Sequence, residues 1–184
     1  SSDLIDEIME YNRKFVENKG YEPYLTSKYP DKKLAILTCM DTRLLELLPA
    51  ALGIKNGDAK IIKNAGGVIV HPYGSVVRSL LVGILELGVE EVMVIGHTDC
   101  GVQGMDGHEM LEKLVERGID QQHIDIVRHS GIDLERWLGG FESVESSVHE
   151  TVRSLKEHPL MPKNVRISGF IMDSATGELT RVEE

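Results

Sequence analysis

Leu34-Ala35-Ile36-Leu37-Thr38-Cys39-Met40-Asp41-Thr42-Arg43 is the stretch that decides how this chain folds. Residues 34–38 form a short, continuous apolar run closed by a threonine. A strand with one face in water alternates apolar and polar residues, whereas a strand buried on both faces of a parallel sheet does not. Cys39 falls at the carboxyl end of that strand, with an Asp two and an Arg four positions further on. A second apolar strand is expected at 91–95, and Gly96-His97-Thr98-Asp99-Cys100-Gly101 follows it directly. In open parallel sheets, sites form beyond the carboxyl ends of strands, where neighbouring loops converge. Both motifs occupy that position.

Outward from this stretch the chain keeps alternating. Residues 3–17 place Leu4, Ile5, Ile8, Met9, Tyr11, Phe15 and Val16 at helical spacing with charges between them. A turn-rich connector with Pro23 and Pro30 leads into the first strand. After it, a short helix interrupted or restarted at Pro49 is predicted through Leu52, ending at Gly53. A strand at 60–63 runs into Asn64-Ala65-Gly66-Gly67, and Ser75 is placed to cap a helix to Leu87. Helices are expected near 108–117, 120–129 and 142–157, then a last strand at 165–172 that is an edge or antiparallel one. The pattern predicts an α/β fold, a mostly parallel central β-sheet flanked by helices with right-handed crossovers, in one domain over 1–184.

Composition narrows the function. With 20 Lys+Arg against 30 Asp+Glu the net charge is −10, which repels nucleic acid and anionic membrane surfaces. No apolar run is long enough to cross a bilayer. The acidic, amphipathic start is not expected to be a secretory signal, and without an initiator Met it is expected to be trimmed or to carry an added remnant. The two cysteines both lie in the motifs, which fits a reducing cytoplasm better than a disulfide framework.

Cys39, His97 and Cys100 are three of the four ligands of a tetrahedral zinc, and three protein ligands leave one position open for chemistry. Sulfur and imidazole favour zinc over the oxygen-seeking magnesium or calcium. Asp41 is placed to accept a hydrogen bond from zinc-bound water, and Arg43 to clamp that carboxylate bidentately. Alternatively Asp41 itself takes the fourth position, giving a closed, inactive state. Gly96 and Gly101 are expected to permit the close turn that aims two ligands inward. A lone cytosolic Cys is usually a buried hydrophobe, but a redox pair would read C-x-x-C, which is absent. His71, His108, His123, His129, His149 and His158 are read as surface residues, and Trp137 and Phe141 as packing. The acidic stretch 142–150 is read as a solvated helix face. Asn64-Ala65-Gly66-Gly67 lacks the lysine and spacing of a phosphate loop.

Taken together, Cys39-x-Asp41-x-Arg43, Asn64-Ala65-Gly66 and Gly96-His97-x-x-Cys100-Gly101 resemble the β-class carbonic anhydrases, in particular their compact prokaryotic branch. The resemblance implies one Zn²⁺ per chain on Cys39, His97 and Cys100, with an Asp41/Arg43 dyad. It implies a homodimer, with tetramers as a further step, in which the N-terminal helix packs on the partner. It also implies a CO₂ pocket near the subunit boundary, with Ala65 and Val82 as small apolar walls. Lys60 stands where the plant-type branch has a glutamine.

The reaction so implied is reversible hydration of CO₂ to bicarbonate and a proton, by zinc-activated water oriented by Asp41. Hydrolysis of CS₂ or COS on the same scaffold is the nearest alternative. The other is a non-enzymatic protein for sensing or interaction, stabilised by zinc with Asp41 permanently on the metal.

Overall fold

The computed structural model describes residues 2–183, the side chain of Ser2 excepted. Five strands form one sheet: β1 (Leu34–Cys39), β2 (Ala59–Asn64), β3 (Glu91–His97), β4 (Arg166–Met172) and β5 (Leu179–Arg181). Their order is β2-β1-β3-β4-β5, with the first four parallel and β5 antiparallel at the edge. Among the described residues seven α-helices accompany it: α1 (Ser2–Glu17), α2 (Leu44–Leu52), α3 (Ser75–Glu86), α4 (Gly107–Glu116), α5 (Gln121–His129), α6 (Leu134–Leu138) and α7 (Val144–Glu157).

The sheet is covered on both faces, which is why β1 reads as an unbroken apolar run. On one side Ala35, Val92, Val94 and Ile167 pack with Val77 and Leu80 of α3 and Val148, Val152 and Leu155 of α7. On the other, Ile36, Ile95, Phe170 and Met172 pack with Leu44 and Leu48 of α2. A satellite cluster of Leu111, Ile124 and Leu134 joins α4, α5 and α6.

Register places the site. Cys39 pairs with Asn64 on β2, and Thr38 with Ile95 on β3, so the last residues of three parallel strands end side by side. Thr38 reinforces this by donating its hydroxyl to Ile95 O at 2.8 Å.

Several local expectations need correction. The strand near 165–172 is interior and parallel, and the antiparallel edge strand is the short β5 after a turn at Gly177 (φ +77°). Pro49 does not interrupt α2, whose buried Leu44 and Leu48 hold its inner face to the core. Gly74, not Ser75, is the N-cap of α3, without a side-chain cap. The five-residue α6, too short to show periodicity, was not anticipated. Trp137 is exposed at 58%, whereas Phe141 does pack into the core. His158 is buried rather than a surface residue, its Nε2–H donating to Pro72 O at 2.7 Å and its Nδ1 accepting from Leu160 N.

Gly96 serves packing, not a turn. A Cβ there would lie 2.7 Å from Val148 Cγ2 and 2.8 Å from Val144 Cγ1, so its absence lets α7 seat against β3. Gly96→Ala is therefore expected to cost about 1–3 kcal/mol by overpacking. Urea denaturation should show the lower midpoint, and adding Val148→Ala should recover much of it. An unchanged midpoint would contradict the packing role.

Candidate metal centre

The cluster assembles from two strand ends and the loop that follows one of them. Cys39 closes β1, His97 closes β3, and Cys100, itself buried, lies three residues further on in an otherwise exposed loop. Their ligand atoms lie within 4.8 Å of one another, with the two Sγ atoms 3.9 Å apart. Two sulfurs bound tetrahedrally to one zinc at ~2.3 Å would sit about 3.8 Å apart, so the spacing fits.

The imidazole is also set for coordination. His97 Nδ1 lies 2.8 Å from Thr98 O. A carbonyl only accepts, so Nδ1 carries the hydrogen and Nε2 presents its lone pair. His97 Nε2 is fully buried and, among the described residues, the only such side-chain nitrogen or oxygen without a hydrogen-bond partner. Leaving a buried polar atom unpaired generally costs about 1–3 kcal/mol, and a metal removes that cost. The thiols tell the same story. Burial pushes the Cys100 thiol up, and the neighbouring Cys39 sulfur pushes it further, so thiolates here call for a cation between them.

Backbone donors surround the sulfurs. Gly66 N–H donates to Cys39 Sγ at 3.4 Å, and the N–H groups of Val102 and Gln103 face Cys100 Sγ. This gives the Asn64-Ala65-Gly66-Gly67 loop its role. Met40 N donates to Asn64 O, while the Asn64 amide bonds Val68 N and O, closing the loop over Cys39. At Gly67 (φ +63°) a Cβ would come within 2.9 Å of the Thr38 carbonyl carbon, so this close crossing needs glycine.

Asp41 and Arg43 sit at the rim. Arg43 Nε donates to Asp41 Oδ1 at 3.0 Å and Nη2 to Oδ2 at 2.9 Å, with the Arg43 backbone N on Oδ1 at 2.8 Å. Asp41 Oδ2 lies 3.8 Å from His97 Nε2, beside the point where the three ligand atoms converge. The Arg43 hydrogen bonds hold the Asp41 carboxyl down at about 2, and Arg43 is raised in turn.

Two residues the sequence reading passed over belong here. Thr98 bonds Met172 O through its N–H and Ser174 through its hydroxyl, bracing the His97 loop on β4. Asp99, at φ +54°, meets Arg43 through both its carboxylate and its carbonyl. An Asp between two ligand positions, in a residue class that tolerates left-handed backbone, was the available signal. Gly101 has ordinary backbone, so the turn strain expected at the glycines falls on Asp99 instead.

The three pocket residues are scattered. Ala65 is exposed beside Gly66, at the cluster. Lys60 lies four residues before Asn64, about 13 Å back along β2. There its Nζ donates to Lys28 O at 2.6 Å, at the opposite end of the sheet. Val82 is on the outer face of α3, 38% exposed. Within one protomer, then, neither Lys60 nor Val82 reaches the metal cluster.

Comparison with known proteins agrees with this geometry. The profile of the family described as carbonic anhydrase matches residues 34–179. Two Bacillus subtilis proteins, YtiB and YvdA, each provisionally named a carbonic anhydrase, are 51% and 53% identical. Those matches cover 96% and 94% of this chain, and 94% and 87% of theirs. The crystal structure of a β-carbonic anhydrase from Trichomonas vaginalis superposes with a TM-score of 0.86 at 35% identity, covering 97% of this chain and 96% of that one. A carbon disulfide hydrolase of Acidithiobacillus thiooxidans is more distant, 31% identical over 81% of this chain and 76% of its own. The chain belongs to the β-carbonic anhydrase family and is an enzyme of the lyase class.

The Asp41–Arg43 pair makes stability depend on pH. A carboxyl depressed to about 2 stabilises the fold fully above about pH 4, and that stabilisation is lost as pH falls toward 2. Carbon-detected NMR titration of the metal-free protein should place Asp41 near 2. In Arg43→Ala its titration should move up toward the ordinary carboxylate range. An unmoved Asp41 would show that Arg43 is not the cause.

Proposed function

We propose that the chain, read as one domain over 1–184, hydrates CO₂ reversibly to bicarbonate and a proton, with one zinc on Cys39, His97 and Cys100. The observation that carries this reading is a cluster of three ligands whose neighbouring carboxylate, Asp41, has both oxygens held by Arg43. It supports the open arrangement, in which the fourth position is left to the reaction. Held by Cys39, His97 and Cys100, zinc would supply Lewis acidity to activate water. Asp41 stays ionised throughout the physiological range, so it serves as a fixed acceptor that orients the attacking group. Arg43 keeps it ionised and drawn back from the metal. A rise of activity with pH through neutrality, which we expect, therefore arises elsewhere than at Asp41. Ala65, in the loop over Cys39, is the residue of the three we assign as an apolar pocket wall.

Metal analysis should find one zinc per chain in the wild type and little in Cys39→Ser. Asp41→Asn should keep its zinc yet lose roughly 10²–10⁴-fold in stopped-flow CO₂ hydration. Retained activity in Asp41→Asn would refute its role. Wild-type protein that hydrolyses CS₂ or COS but not CO₂ would favour the alternative substrates. Chelation that unfolds the chain in every assay would favour a structural metal.

We infer further that the chain is a homodimer. Leu4, Ile5, Ile8, Met9, Tyr11 and Val16 of α1 are each more than half exposed, an apolar face that a second copy would cover. Light scattering should give at least twice the 20.5 kDa chain mass. An active monomer after deletion of residues 1–18 would contradict this.

A further inference from the structure

We propose that Asp99 is a positioning residue that latches Arg43, and through it keeps Asp41 clear of the metal's fourth position. The proposal rests on the reading of the site given above. Arg43 spends its donors on two partners. Nε and Nη2 hold Asp41, while Nη1 reaches Asp99 Oδ2 at 3.1 Å and Nη2 reaches Asp99 O at 2.8 Å. The guanidinium thus bridges the loop after Cys39 and the loop between His97 and Cys100, and cannot turn without breaking contacts to both. A bidentate grip on Asp41 alone would leave the Asp41–Arg43 unit free to swing as a pair. The second anchor fixes where that pair stands.

Asp99 does this less by charge than by place. Its carboxylate is 87% exposed, so solvent screens the ion pair. What it provides is an acceptor at a defined point, together with a carbonyl aimed at Arg43 by the left-handed backbone at φ +54°. Asparagine keeps both features, since it tolerates that conformation and its amide oxygen accepts from Nη1. Glycine keeps the backbone and removes the acceptor. The pair of variants separates the side chain from the turn.

The test is a double-variant cycle on the zinc holoenzyme, repeated on Co²⁺-substituted protein by water-proton relaxation, which reports exchangeable water on the metal. Asp99→Gly should retain metal, lower kcat by about fivefold and reduce the relaxation in parallel. Asp99→Asn should recover most of both losses. In an Arg43→Ala background, Asp99→Gly should change nothing further, because the group it acts through is gone. Arg43→Gln replaces that corner if Arg43→Ala does not fold. Additive losses, or Asp99→Asn behaving like Asp99→Gly, or Asp99→Gly behaving like wild type, would each overturn the latch. Wild-type protein inactive toward CO₂ would overturn the assigned reaction instead, and the relaxation cycle would still judge Asp99.

Discussion

Two sulfurs 3.9 Å apart beside a buried imidazole nitrogen without a partner make an arrangement that is costly in a protein interior and that a shared cation would relieve. Much of the fold can be understood as the means of holding that arrangement. Parallel strands end together only if helical crossovers return the chain to the same edge, and α2 and α3 do so on opposite faces of the sheet. The register Cys39 to Asn64 and Thr38 to Ile95 then fixes which residues meet. Moving one strand by a single residue would turn its inward side chains outward and disperse the ligands.

Around the cluster, backbone does much of the work that side chains do at polar sites. Three N–H groups, from Gly66, Val102 and Gln103, face the sulfurs. Glycine at 67 lets its loop cross Cys39 closely enough to bring one of them. Thr98 bonds to β4 and to Ser174, so the His97 turn is braced from the strand beyond. Arg43 links the two loops across the top.

The clustering of Cys39, His97 and Cys100 and the Asp41–Arg43 pair were legible in the sequence because their chemistry depends on residue type and short spacing. So were β1 and β3, whose apolar runs report burial on both faces. What escaped depended on partners distant in the chain. Gly96 looked like a turn glycine, but its purpose is to admit Val144 and Val148 from a helix about fifty residues on. The Asn64 loop looked like a failed phosphate cradle, and only the register with Cys39 shows that it donates to sulfur. Lys60 was named from the family resemblance, and in this structure it lies at the other end of β2 from the cluster. His158 was misjudged because its acceptor, Pro72 O, lies 86 residues away.

Charge at the site bears on the direction of traffic. With zinc in place, two thiolates balance the ion, and Arg43 balances Asp41, leaving Asp99 as a net negative group on a chain already at −10. In the proposed reaction a neutral linear substrate would meet no electrostatic barrier there. An anionic product meets no unpaired cation among these residues, since the guanidinium is already shared between two carboxylates. The second carboxylate on Arg43 therefore does more than steady it. With it, four of the five guanidinium N–H groups are engaged, so in the proposed reaction an anion formed beside the metal would find little free donor capacity there.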